Sequence, residues 1–237
     1  MNGNLSWVRL PSEWITAGGL KSFSWKNGGG ANETAALMTL IGLAHRADQT
    51  TGVALATYDD LTEALSISRA KVSDGLDILS ERRLITRQVD GRSSFKLENF
   101  DPLRGWAILP RKSLYREKRI EAFKDFHLRK LVELDALKLY LLIVAGRDRD
   151  RNRAFISYPK IEEMAAIPTN RIKSALSLLV VNNLVYAEQN IRDTVGVVQS
   201  YRLPQIEPRR HAGTVGRGEL NVEPADFNAA DPSDGPF

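Results

Sequence analysis

Apolar positions along this chain alternate between two periods. Leu37, Leu40, Ile41 and Ala44 stand at helical spacing and predict an amphipathic helix from about Glu33 to Ala47. The short run Val53-Ala54-Leu55 reads as extended. Thr57 then stands where a helix N-cap belongs, before a second helix over Asp59–Ala64. A break at Leu65-Ser66-Ile67-Ser68 places Ser68 as the cap of a third helix, Arg69 to Arg82, with Val72, Leu76 and Leu79 as its buried stripe. Leu84 to Val89 then turns at Asp90-Gly91 and returns as Ser94–Leu97. Asp-Gly between alternating runs is a strong hairpin signal.

The same order returns one hundred residues later. Between 35–85 and 135–185, 10 of 51 ungapped positions are identical, including Tyr58/Tyr158, Glu63/Glu163, Ile67/Ile167, Leu76/Leu176 and Leu84/Leu184. The second set predicts a helix from Leu134 to Gly146, an extended Ala154-Phe155-Ile156, and a helix over Pro159–Ala165 capped by Ser157. Proline suits the first turn of that helix, where its missing N–H has no partner to lose. A break at Ala166-Ile167-Pro168-Thr169 follows, with Thr169 as the expected cap of a helix from Asn170 to Asn182. The second hairpin runs from Leu184–Glu188 to Val197–Leu203, with a longer tip around Asn190–Gly196. The lead-ins match too: Trp7-Val8-Arg9-Leu10-Pro11 parallels Trp106-Ala107-Ile108-Leu109-Pro110. The pattern therefore predicts two copies of one fold. They occupy 1–98 and 134–205, separated by a basic stretch at 99–133 with a helix over 117–131. An acidic tail at 206–237, poor in apolar periodicity, is expected to be disordered.

Charge sharpens that division. Residues 1–100 carry 11 basic and 11 acidic side chains, residues 101–205 carry 19 and 12, and residues 206–237 carry 3 and 6. A basic middle points to a polyanion partner. The chain has no cysteine, which excludes disulfides, a thiol nucleophile and thiolate metal sites. The longest apolar run, Leu139 to Ala145, is far short of the roughly 20 residues that span a bilayer. The opening residues MNGNLSWVRL lack a signal pattern, so no membrane association and a cytoplasmic location are expected.

Catalytic signatures are lacking. His45, His127 and His211 lie far apart, and no nucleophile elbow, zinc-binding pair or P-loop occurs. Gly28-Gly29-Gly30 and the glycines at 213, 216 and 218 read as loops. Asp59-Asp60 and Glu162-Glu163 open helices, where negative charge complements the dipole. No enzyme activity, cofactor or metal is expected.

Helix, strand, helix, tight turn, helix, hairpin is the order of a winged helix-turn-helix. The phrase from Tyr58 to Leu79 resembles those modules in plasmid and phage replication initiators and in bacterial transcription regulators. The fold class expected is mainly α with small β-hairpin wings (α+β), as two tandem winged-helix domains. The resemblance implies double-stranded DNA binding, with the third helix of each copy presenting its N-terminal residues to base edges. Those residues are Thr169, Asn170, Arg171, Lys173 and Ser174 in the second copy. In the first they are Ser68, Arg69, Lys71 and Ser73, followed by Asp74 and Asp77. Arg87, Arg92 and Arg192 stand on the wings. Arg111, Lys112, Arg116, Lys118 and Arg119 of the basic stretch are the candidates for sequence-independent phosphate contact. The leading expectation is a transcriptional regulator. The alternatives are a replication initiator of a plasmid or phage, and a non-catalytic interaction subunit whose first copy contacts a protein partner.

Overall fold

The computed structural model describes residues 5–26, 28–88, 93–189, 199–204 and 206. It is an α+β protein whose small sheets are all antiparallel. The chain opens with β1 (Trp7–Pro11), the single turn α1 (Glu13–Thr16) and a 3-10 turn at Gly19–Ser22. Next come α2 (Gly30–Arg46), β2 (Val53–Leu55), α3 (Tyr58–Leu65), α4 (Arg69–Glu81), β3 (Ile85–Arg87) and β4 (Ser94–Leu97). A second lead-in contains β5 (Trp106–Pro110), β6 (Tyr115–Arg116) and β7 (Arg119–Ile120), with 3-10 turns at Lys112–Leu114 and Glu121–Phe123. The order then repeats as α5 (Leu131–Ala145), β8 (Arg147–Asp148), β9 (Arg153–Phe155), α6 (Tyr158–Ala165), α7 (Thr169–Val181), β10 (Tyr186–Gln189) and β11 (Gln199–Arg202).

The two sets agree in backbone detail. Strands pair as β2-β4-β3 in the first and as β9-β11-β10 in the second, where β8 adds one more edge. The turn before each third helix holds a left-handed residue, Ser66 (φ 57) and Ala166 (φ 50). The turn after each holds Arg83 (φ 55) and Asn183 (φ 53). Caps behave as the sequence suggests at three of four sites. Thr57 and Asp60 form a reciprocal capping box, Ser68 accepts from Lys71 N–H, and Ser157 accepts from Lys160 N–H. The fourth differs: Pro168 takes the N-cap position of α7, and the Thr169 hydroxyl donates to Glu162 at 2.8 Å instead of capping.

The stretch 117–131 corrects an expectation. It is not a helix. Glu117 and Leu128 are left-handed (φ 59 each), and β6 and β7 form a tight hairpin around Glu117-Lys118. Ile120, Phe123 and Phe126 are buried from successive tight turns, and the Phe123 and Phe126 rings meet edge to face. The helix begins only at Leu131, where Glu133 accepts from the N–H groups of His127, Arg129 and Lys130.

The two lead-ins find each other. β1 and β5 pair antiparallel from Trp7 opposite Pro110 to Pro11 opposite Trp106, which makes a two-stranded ribbon. Each lead-in also packs on the opposite set. The turn Gly19–Ser22 lies against α6 and α1 against α5, whereas β7 lies against α3. One continuous apolar core results, with α5 buried on all sides (Leu134, Leu137, Leu141 and Val144 among others). Among the described residues, no helix is long and apolar enough to cross a membrane.

Candidate nucleic-acid interface

α7 owes its exposed face to its apolar one. Ile172, Ala175 and Leu179 are buried against α5, so Asn170, Lys173, Ser174 and Ser177, at helical spacing on the other side, are exposed. Lys173 has no acidic partner among the described residues. Thr169 is exposed as well, and its hydroxyl is held by Glu162. This face offers donors in a row, one of them a free ammonium.

The equivalent face of α4 is different. Val72, Leu76 and Leu79 are buried, and the outward stripe reads Ala70, Ser73, Asp74 and Asp77. Its cations are engaged. Arg69 pairs with Asp59 at 2.8 Å and lies 5.0 Å from the Tyr58 ring centroid. Lys71 donates to Asn32 and pairs with Asp74 at 3.3 Å. Arg87 on β3 pairs with Asp77 at 2.6 Å. Ser68 serves as the cap. Arg92, Arg192 and both wing tips lie outside the described residues.

Arg171 takes a structural position. Its Nε stands 2.9 Å from Asp135, a carboxylate only 2% exposed in the N-terminal turns of α5. Burial raises the Asp135 pKa, and Arg171 and Lys138 oppose that shift. Lys138, also buried, donates to Phe23 O at 3.0 Å, and desolvation lowers its pKa to about 8. Arg171 thus fastens α7 to α5 rather than lying free for a ligand. Lys71, at the same offset, reaches α2 in the same way through Asn32. A charged pair inside an otherwise apolar helix, Asp135 and Lys138 in Leu134–Val144, was the available sequence signal for this cluster.

The basic residues of 99–133 are not a spacer between the two sets. Arg116, Lys118 and Arg119 are exposed on the β6–β7 hairpin, which lies against α3. Lys118 is 3.6 Å from Glu63, and Arg119 borders a shallow depression with Asp59, Thr62, Ser66 and Ile67. The positive charge of the second lead-in therefore sits beside the α3–α4 turn of the first set. Arg111 is half-buried, with its pKa lowered by desolvation, and Lys112 is exposed after β5.

Among the described residues no group of acidic and histidine side chains has the arrangement of a metal site. His45 is fully buried, hydrogen-bonded to Pro110 O at 2.8 Å and Tyr115 OH at 3.1 Å. No family model matches the chain, and no curated protein or solved structure does.

Proposed function

We propose that the two sets are tandem winged-helix modules and that the chain is a non-catalytic, double-stranded DNA-binding protein, reading sequence chiefly through α7. The carrying observation is the exposed stripe Asn170, Lys173, Ser174 and Ser177, free of carboxylates, where the matching stripe of α4 presents Asp74 and Asp77. Asparagine has the geometry to pair with adenine in the major groove, and lysine reaches guanine or phosphate. The β6–β7 arginines and lysine supply a backbone contact on the first module, offsetting its acidic helix. A transcriptional regulator fits this reading, and a replication initiator uses the same contacts.

The test is selection of bound duplexes from a random pool, followed by titration of the preferred duplex at fixed salt. Asn170→Ala with Lys173→Ala is expected to weaken binding by tenfold or more. Arg69→Ala, which removes a cation already paired with Asp59, is expected to change it less than twofold. Equal losses from the two changes overturn the assignment to α7. A second reading, a protein-contacting first module, is favoured by the self-neutralised α4 face. Co-purification of a partner without any duplex shift would support it.

A further inference from the structure

The outer face of the β1–β5 ribbon carries two guanidinium groups that meet no carboxylate among the described residues, and it lies away from the exposed stripe of α7. Trp7 and Trp106 stack there with ring centroids 6.1 Å apart and planes at 11°. The Arg9 guanidinium lies 4.8 Å from the Trp106 centroid. Arg149 lies 4.3 Å from it and donates to Trp106 O at 3.0 Å. Neither guanidinium meets a carboxylate among the described residues, and Arg9 Nε is buried without a hydrogen-bond partner. Arg151 is exposed in the same turn, which Asp148 closes by accepting from the N–H groups of Asp150 and Arg151. This face sits at the C-terminal ends of α2 and α5, where His45 meets Pro110. Arg171 holds α7 at the opposite end of α5, a helix about 22 Å long by its rise per residue.

The course of the chain supplies an occupant. Asn152, closing the same turn, donates to Leu203 O and Ile206 O, so the described chain ends against a residue three positions after Arg149. Beyond it, residues 219–237 contain Glu219, Glu223, Asp226, Asp231 and Asp234 with no lysine or arginine, and two aromatics, Phe227 and Phe237. We propose that the outer face of the β1–β5 ribbon is the docking surface for the chain's own acidic segment, 219–237. Carboxylates answer Arg9, Arg149 and Arg151, and Phe227 answers the indole pair. The 13 residues from Ile206 to Glu219 reach at most about 45 Å, ample for a turn beside the exit point. Tethering gives an effective concentration of order millimolar, so a weak contact suffices. Exposed charge pairs of this kind are screened by salt.

The absence of cysteine makes the test clean. In the full chain, Ala230→Cys carries a single acceptor dye for tryptophan emission. Energy transfer is expected at low salt, to fall at least twofold in 0.5 M salt (about a 4 Å screening length), and to fall equally at low salt in Arg149→Glu/Arg151→Glu. Both arginines are exposed, and an unchanged far-UV spectrum would confirm that the variant is folded. Transfer indifferent to salt and to the double change overturns the proposal. Transfer that rises with protein concentration overturns it too, because the occupant is then a second copy. No DNA enters the assay, so its outcome is separate from that of the duplex titration.

Discussion

His45 is the residue at which one set of elements grips the lead-in of the other. It lies at the end of α2, is fully buried, and uses both ring nitrogens, toward Pro110 O and Tyr115 OH. Desolvation is the largest influence on it and lowers its pKa to about 3. The Pro110 contact opposes this, and Arg111 and Arg46 reinforce it. In the unfolded chain a histidine titrates near 6.5. A folded-state pKa below the unfolded one means that the unfolded chain takes up the proton first. The stability contribution is therefore whole above pH 6.5 and is lost as pH falls toward 3, at about 1.4 kcal/mol per pH unit. From pH 7 to pH 5 the loss is about 2 kcal/mol. Asp48, Asp60 and Asp101, held low mainly by hydrogen bonds, lose their share only below the ordinary carboxylate range, and Asp135, raised by burial, acts with the opposite sign, so the part of the slope that vanishes with the imidazole belongs to His45. His45→Gln is expected to be less stable at pH 7 yet to show little change between pH 7 and pH 5 in urea unfolding. An undiminished slope in the variant would refute the assignment.

At the scale of elements, α4 and α7 differ in how closely they approach their supporting helices. Gly75 faces α2, and a methyl group there would stand 3.0 Å from Thr39 Oγ1 and 3.1 Å from the backbone of Ala35. The matching position in α7 is Ala175, also buried. Alanine is the better helix former by about 1 kcal/mol, but backbone cannot give way as a side-chain tip can. Gly75→Ala is thus expected to destabilise the fold by about 1–3 kcal/mol, read as a lower urea midpoint; a raised midpoint would show that α4 moves out freely. The helices, hairpin strands and three of the caps were legible because period and cap chemistry are local. The 117–131 stretch was misread because Ile120, Phe123 and Phe126, three apart, imitate one helical face. Arg171 was legible as a cation on the third helix but not as Asp135's partner. Only packing brings α5 beneath it.

Across the whole molecule, the likeness of Trp7–Pro11 to Trp106–Pro110 was visible, but not that the two strands pair. Nearly a hundred residues separate them and no turn between them sets a register, so their meeting depends on both sets folding. The crossed packing follows: α1 and Gly19–Ser22 lie on the second set, β7 on the first, and Lys138 of α5 holds Phe23 O. Neither set can shed the other's lead-in without exposing apolar core. Leu109, unexposed and opposite Val8 in the ribbon, tests this link. Leu109→Ala is expected to cost about 2–5 kcal/mol and to lower the stability of both sets together. Tryptophan emission reports the lead-ins, where all four tryptophans lie, and far-UV dichroism reports the helices. Both should keep one coincident transition in the parent and in the variant, shifted to lower urea in the latter. If the two signals part, or a second transition appears, the sets are independent bodies, and a fixed spacing between α4 and α7 on a duplex loses its physical basis.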